Sequence, residues 1–260
     1  TLINGGIDLK YGINQAFTLD ATLIPDFGQV QSDNQVLNLS PFEVQFNENR
    51  PSFTEGTELF SKGGLFYSRR IGGTPFHYYD AMNSVDTTRE RMISNPSQSK
   101  LINATKISGR TQSKLGIGFL NAITQTQFAA IENKGSKEQR IFLNDPLTNY
   151  NVFVLDQSLK NNSSISLINT NVMRSGKDYD ANVTAALFDF NDKKNTWNLG
   201  GKLSVSQLLG ITAEGKNVTG YNHNFYFGKT SGHFNFNMYQ ELMDTKYRHS
   251  DMGYFTNNNL

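Results

Sequence analysis

Six charged side chains within residues 43–70 are the residues of this chain best placed to do chemistry. They are the carboxylates Glu43, Glu48 and Glu55 and the guanidinium groups of Arg50, Arg69 and Arg70. Two carboxylates can hydrolyse a glycosidic bond when one protonates the leaving group and the other activates water or attacks the sugar. The cluster therefore has two interpretations, a glycoside hydrolase-like carboxylate site and a salt-bridged structural segment.

The residue types favour the structural interpretation. Arginine binds carboxylates through two parallel hydrogen bonds, so these pairs would hold a segment inside, or over the mouth of, a β scaffold. The spacing of the three glutamates does not position a water molecule or a sugar ring between them. We therefore predict a polar cluster that holds a plug-like segment, and a chain that is not an enzyme.

Aromatic residues are interspersed with these charges. We predict that they anchor the same segment against the scaffold, and a ligand groove with aromatic sugar platforms is the alternative. The predicted anchors are Phe42, Phe46, Phe53, Phe66 and Tyr67.

The composition excludes several classes of function. Lys+Arg 24 against Asp+Glu 23 leaves a net charge of +1, so there is no basic excess to neutralise nucleic acid. Cysteine is absent, which removes thiolate nucleophiles and cysteine-based zinc sites. The four histidines are scattered along the sequence, and we predict neither a metal site nor a cofactor.

Alternation of apolar and polar residues dominates the rest of the chain, and it predicts strands with one apolar face. Segment 84–94 is the best candidate for a short helix, with a loop as the alternative. Ten strands are predicted, at 5–13, 17–25, 101–110, 113–124, 150–159, 163–173, 181–190, 195–206, 220–228 and 233–244. Most are longer than the five or six residues usual in globular proteins and match the roughly 9–11 residues of a tilted transmembrane strand.

The connections between these strands alternate between short and long. We expect short links at 14–16, 111–112, 160–162, 191–194 and 229–232, and longer ones at 26–100, 125–149, 174–180 and 207–219. Outer-membrane barrels have short periplasmic turns and long extracellular loops, so an antiparallel up-and-down transmembrane β-barrel is predicted. Both ends of the ten-strand series then lie on the outer side, which indicates an internal part of a larger barrel.

Three sequence motifs carry a resemblance to a known family. They are GGIDLKYGINQAFTLDATLIPDFGQVQSD at 5–33, LNLSPFEVQFNENRPSFTEG at 37–56 and LFYSRRIG at 65–72. The chain resembles the DUF5916 family of Bacteroidota outer-membrane proteins, whose members often carry a family 9 carbohydrate-binding-like domain that has no counterpart here. The resemblance implies an outer-membrane β-barrel of unassigned biochemical role in a Gram-negative cell.

These observations together predict a first hairpin at 1–27, an inserted plug segment at 28–100 and a β-meander at 101–260. The expected role is a pore, a transporter component or a surface scaffold, and a polysaccharide-binding or carbohydrate-active surface protein is the alternative. The expected partners are outer-membrane lipid and either other envelope proteins or polysaccharide.

The barrel prediction also assigns residues to the two faces of the wall. The residues predicted to face the lumen are Asp8, Lys10, Asp20 and Lys202. The predicted lipid-facing residues are Leu9, Tyr11, Phe17, Leu19, Trp197, Leu199, Phe225 and Phe234.

Overall fold

Antiparallel strands make up most of the structure, as the alternating pattern predicts. The computed structural model describes residues 7–23, 48, 50, 53 and 57–254. Among them are one short helix, α1 (Tyr78–Asn83), and two 3-10 turns, Lys62–Gly64 and Ser68–Arg70. The strands are β1 (Ile7–Gly12), β2 (Phe17–Leu23), β3 (Glu90–Ser94), β4 (Leu101–Arg110), β5 (Leu115–Thr124), β6 (Gln127–Asn133), β7 (Gln139–Asp145), β8 (Thr148–Ser158), β9 (Ser164–Arg174), β10 (Asp180–Asn191), β11 (Trp197–Leu209), β12 (Val218–Lys229) and β13 (Phe236–Met243).

Ten of these strands form one large antiparallel sheet in the order β1-β2-β4-β5-β8-β9-β10-β11-β12-β13. They are the ten strands that the alternation predicts, with ends shifted by a few residues. Within the described residues β1 and β13 lie at opposite edges and do not pair with each other, so the sheet is not closed. No helix among the described residues is long and apolar enough to cross a membrane.

The sequence patterns did not predict a second, three-stranded sheet in the order β3-β6-β7. Its first strand occupies part of segment 84–94, so a helix there is wrong, and α1 ends before that segment begins. β3 pairs with β6, and the Arg91 Nε donates to Glu132 at 2.9 Å across the pair. A strand partner distant in sequence therefore decides the conformation of this segment, and its local pattern does not.

The connection between β9 and β10 was predicted to be one of the long loops, but it is short. It spans 175–179 and is no longer than the link 159–163 between β8 and β9. Gly176 has φ +96°, a conformation that glycine adopts without strain, and the Asp180 carboxylate accepts from the Arg174 amide at 2.7 Å. The strict alternation of short and long connections is therefore wrong at this position.

The large sheet has an inner face that packs on a single core. Its inner residues include Leu120, Val152, Ile168, Val183 and Leu208, one from each of five strands, and all are buried in one cluster. The centre of that cluster is part of the chain between β2 and β3, here called the inner segment (residues 57–77). It contributes Leu59, Phe60, Leu65 and Ile71 to the cluster.

The inner segment contacts strands that lie far apart in the sheet. Leu59 and Phe60 lie over β5, while the Lys202 ammonium of β11 donates to the Gly63 carbonyl at 3.3 Å. Neighbouring strands are about 4.8 Å apart, so a flat sheet would separate β5 from β11 by about 19 Å. The sheet must therefore curve around the inner segment.

Two glycines of β5 provide the space that this packing needs. A Cβ at Gly116 would lie 2.8 Å from Leu59 Cδ2, and a Cβ at Gly118 would lie 3.0 Å from Phe60 Cζ. Both distances are shorter than side-chain contacts normally allow, so these positions accept the inner segment because they carry no side chain.

We expect Gly118→Val to reduce the free energy of unfolding by about 1–3 kcal/mol, because the new side chain overpacks against Phe60. Gly12→Val is the matched control, since a Cβ there meets no described atom within 4 Å. Denaturant titration of both variants measures the effect. If Gly118→Val is no worse than Gly12→Val, or if Phe60→Leu does not relieve it in the double variant, the packing described here is wrong.

Candidate functional site

The inner segment is tied to the sheet by a buried carboxylate on β8. Asp156 is 1% exposed. Its Oδ1 accepts from the Lys62 ammonium at 2.6 Å and from the Ser166 hydroxyl at 2.7 Å, and its Oδ2 accepts from the Arg110 guanidinium at 2.7 Å. Lys62 belongs to the inner segment and the other three residues belong to strands, so this ion-pair network joins the two parts of the fold.

The charged residues predicted to face the lumen lie partly on the same inner face. Asp20 of β2 pairs with the buried Lys106 ammonium of β4 at 3.3 Å, and Lys202 bonds the inner segment as described above. Asp8 is exposed on the edge strand β1, and so is Lys10. The sheet thus carries several charged groups on the face that packs against the inner segment.

A second ion pair, between Glu48 and Arg50, contacts the middle of the inner segment. Arg50 is 5% exposed and makes a bidentate pair with Glu48, with N–O distances of 2.8 and 2.6 Å. Its remaining donors reach the carbonyl of Ile71 at 2.6 Å and that of Ser68 at 2.8 Å. The Ser68 hydroxyl also donates to Glu48, at 2.5 Å.

The environment of Glu48 favours the charged carboxylate. Burial opposes ionisation and is the largest single influence, but the bonds from Arg50 and Ser68 together outweigh it and lower the pKa of Glu48 below its ordinary value. Because the folded pKa is lowered, this carboxylate stabilises the fold above its unfolded pKa, and the contribution is lost as the pH falls through the folded pKa.

The other predicted residues of the segment are divided between the described and undescribed parts of the chain. Phe53 is buried with Arg50 4.4 Å above its ring, and Phe66 packs edge-on against Phe60 at 6.3 Å. Tyr67 packs edge-on against Tyr254 at 5.5 Å. Arg69 and Arg70 are half-buried in one 3-10 turn, and four predicted residues lie outside the described residues: Phe42, Glu43, Phe46 and Glu55.

A C-terminal segment (residues 244–254) returns to the same inner face. The Tyr67 amide donates to the Met252 carbonyl at 2.7 Å, and the Arg70 Nε donates to the Gly253 carbonyl at 3.0 Å. A Cβ at Gly220 of β12 would lie 2.3 Å from the backbone of this segment. Two separate parts of the chain therefore fill the concave side of the sheet.

The residues predicted to face lipid lie on the opposite, outer face or at the edges of the sheet. Most are exposed, although Phe17 and Leu19 of β2 are half-buried. Those that are exposed are Leu9, Tyr11, Trp197, Leu199, Phe225 and Phe234.

His77 connects the start of α1 to the turn between β9 and β10. Its Nδ1 lies 2.8 Å from Asp80 and its Nε2 lies 2.9 Å from Asp178. Burial lowers the pKa of His77 and is the largest single influence, but the two carboxylates together raise it above its ordinary value because only the imidazolium can donate to both.

The Asp156 network was missed in the sequence, although one signal for it was present. The inner positions of β8 read Thr148, Tyr150, Val152, Val154 and Asp156, so a carboxylate stands at the end of a largely buried row. A buried carboxylate requires donors, and an ion-pair partner could have been predicted without its identity. Within the described residues no cluster of three or more His, Asp or Glu side chains has a metal-binding arrangement.

Comparison with known proteins identifies a family without assigning a role. The family model described as a domain of unknown function, DUF5916, matches residues 1–260, which is the whole chain. No curated protein and no solved structure matches it. The chain belongs to the DUF5916 family.

We expect Asp156→Asn to reduce the free energy of unfolding by about 3 kcal/mol, because it leaves Lys62 and Arg110 without their buried counter-charge. Asp8→Asn, at an exposed carboxylate, should change it by less than about 0.5 kcal/mol. Denaturant titration compares the two. Equal effects would show that the Asp156 network does not hold the inner segment.

NMR titration of the His77 ring should give a pKa above the ordinary value for histidine, and Asp178→Asn should lower that pKa. Since the folded pKa is raised, the stabilisation is complete below the unfolded pKa and is lost as the pH rises through the folded pKa. Asp86→Asn, at an exposed carboxylate elsewhere, is the control and should leave the His77 pKa unchanged. A midpoint at or below the ordinary value would contradict the double pairing.

Proposed function

We propose that this member of the DUF5916 family forms part of the wall of a β-barrel in the outer membrane of a Gram-negative bacterium. Its outer face contacts lipid, and the inner and C-terminal segments fill its interior. The resemblance noted in the sequence supports an origin in the Bacteroidota. The observation that carries the proposal is the distribution of apolar side chains, which are exposed on the face that a bilayer would cover.

The outer face exposes large apolar residues on neighbouring strands. Phe119, Phe153, Leu167, Leu203 and Phe225 are each 37–50% exposed, and the residues that alternate with them point to the inner face. Soluble monomers rarely expose a continuous apolar surface larger than a few hundred Å². A face of this kind is expected where hydrocarbon is the solvent.

The length of the apolar stretch on β11 fits a bilayer. Its outer positions run from Trp197 through Leu199, Gly201, Leu203 and Val205 to Gln207. Ten residue steps at about 3.3 Å give about 33 Å along the strand. With a tilt of about 40° this projects to about 25 Å, which is the height of the apolar band of outer-membrane barrels.

The two ends of this stretch have different chemistry. At the Trp197 end, the indole stacks on Phe227 at 5.5 Å and meets the edge of Phe236 at 6.0 Å, as expected for an aromatic girdle. At the Gln207 end, side-chain amides stand in register on five adjacent strands: Asn121, Asn151, Asn171, Asn182 and Gln207. The Asn121 amide donates to Asn151 at 2.8 Å and the Asn182 amide donates to Gln207 at 3.3 Å.

The edge strands add a requirement. Hydrocarbon cannot satisfy backbone N–H and C=O groups, so β1 and β13 need strand partners in a membrane. In the proposed barrel, further strands must therefore pair with β1 and β13 to close the wall.

The proposed role is a pore or transporter component, in which the charged cluster holds the inner segment and is not a catalytic site. Glu48, the described member of the glutamate cluster, has both oxygens engaged by Arg50 and Ser68. Its role is then to hold the segment in place. Passage through the interior would require the inner segment, which Lys62 bonds to Asp156, to move.

Extraction and gel migration test the membrane position. We expect the protein to remain with the membrane fraction, to require detergent, and to migrate differently on gels before and after heating, because a folded barrel resists the detergent at low temperature. Recovery in buffer without detergent would contradict the proposal and would favour a polysaccharide-binding surface domain instead.

Depth-dependent substitution gives a sharper test. We expect Leu203→Arg, near the middle of the apolar stretch, to disfavour folding into bilayers by about 2–4 kcal/mol, and Gln207→Arg, at its end, by about 0–1 kcal/mol. Both residues lie on the outer face of β11. Reversible unfolding from phospholipid vesicles measures the difference. Equal effects would contradict lipid contact at Leu203.

A further inference from the structure

A row of uncharged polar side chains crosses the outer face of the large sheet. Cross-strand pairing places its members side by side on the adjacent strands from β4 to β12 of the sheet order, and it is here called the polar row: Thr105, Asn121, Asn151, Asn171, Asn182, Gln207 and Thr219. All of them are exposed or half-buried. Six strand spacings of about 4.8 Å make the row about 29 Å long, with Asn171 at its centre.

Apolar side chains lie on both sides of the polar row along the strands. Among the outer residues that flank it are Phe119 and Ile123 on β5, Leu167 and Met173 on β9, and Val205 and Leu209 on β11. None of these six is buried. The polar row is therefore a line of amides and hydroxyls inside an apolar face.

The polar row does not keep to one depth in the proposed membrane. Leu115 and Trp197 each begin a strand after a short connection, so both mark the same side of the sheet. Gln207 lies ten positions beyond Trp197, but Asn121 lies only six positions beyond Leu115. Six steps of about 3.3 Å, tilted by about 40°, reach a depth of about 15 Å of the apolar band of about 25 Å. Asn121 therefore lies where the solvent is hydrocarbon.

The amides of the polar row satisfy one another only in part. The Asn121 amide donates to Asn149 at 2.7 Å and to Asn151 at 2.8 Å. Half-buried Asn171 makes no side-chain hydrogen bond with any described residue. A side-chain amide has two N–H donors and a carbonyl acceptor, and hydrocarbon offers a partner to neither.

The unused groups restrict what can cover the polar row. An anion supplies only acceptors and an ammonium group only donors, and lipid head groups remain at the boundary of the bilayer. A second polar row supplies donors and acceptors together, because one amide is complementary to another. The row also carries no charge, so placing it against its own copy brings no like charges together.

We propose that two copies of this chain associate side by side in the membrane along the polar row, with a two-fold axis near Asn171. The inference rests on the membrane position proposed above. In such an interface the same patch of both copies meets, and side-chain amides bond across it as they do between transmembrane helices. Because the sheet curves around the inner segment, its outer face is convex, and a narrow row suits the contact of two convex faces.

Cysteine cross-linking locates the interface, since the chain has no native cysteine. The intact protein carrying Asn171→Cys is purified, reconstituted in phospholipid vesicles and oxidised. We expect a disulfide-linked dimer, because residues near a two-fold axis meet their own copies. Leu199→Cys, on the outer face near the opposite end of β11, is the control and should remain monomeric.

The dissociation constant of the dimer tests the role of the amides. Single-molecule photobleaching at a series of protein-to-lipid ratios measures it in the same vesicles. We expect Asn171→Leu to raise this constant at least about tenfold, because the symmetric dimer loses the contact twice. Ile165→Leu, on the outer face of the same strand, is the matched control and should leave the constant unchanged.

The outcomes separate this inference from the membrane proposal. Recovery of the protein in buffer without detergent would overturn both. A protein that inserts into vesicles but is monomeric at every protein-to-lipid ratio would overturn the dimer alone. A dimer that cross-links as well through Leu199→Cys as through Asn171→Cys, or that Asn171→Leu does not weaken, would place the contact on another face and contradict the polar row as the interface.

Discussion

The buried carboxylate of Asp156 is the constraint on which the rest of the structure depends. A carboxylate on the inner face of β8 is stable only with donors around it, and the strands provide two of them, from Arg110 and Ser166. The third is the Lys62 ammonium. Lys62 is fixed there by its neighbours Leu59 and Phe60, which need the bare backbone of Gly116 and Gly118. Charge pairing and packing therefore hold the same segment in the same place.

This arrangement explains why the two faces of the large sheet differ in their chemistry. The inner face combines buried apolar residues with charged and small ones, because it must accommodate two segments of chain with their own polar groups. The outer face carries Phe, Leu and Trp side chains that no described part of the chain covers. A bilayer outside and a packed segment inside would meet both requirements, and the 25 Å projection of the β11 stretch agrees with that assignment.

The sequence predicted the large sheet well, and the predictions failed where distant residues decide the structure. All ten of its strands follow from period-two alternation, because burial on one face imposes that period directly on the residues. β3, β6 and β7 are shorter, and β3 is a strand only because β6 lies beside it. Glu48 and Arg50, two residues of the predicted polar cluster, pair locally. Lys62 and Asp156 are 94 positions apart, and no periodic pattern relates them.

Cysteine accessibility in membranes tests the central claim most directly, because the chain has no native cysteine. Leu187 lies on the inner face of β10 beneath Gly63, and Ala186 lies next to it on the outer face. The two single variants Leu187→Cys and Ala186→Cys place one thiol on each face. A water-soluble thiol reagent should modify neither, since the inner segment covers one and lipid covers the other. Adding Asp156→Asn should expose Leu187→Cys and leave Ala186→Cys protected. Modification of Leu187→Cys at the same rate with and without Asp156, or rapid modification of Ala186→Cys, would contradict this account.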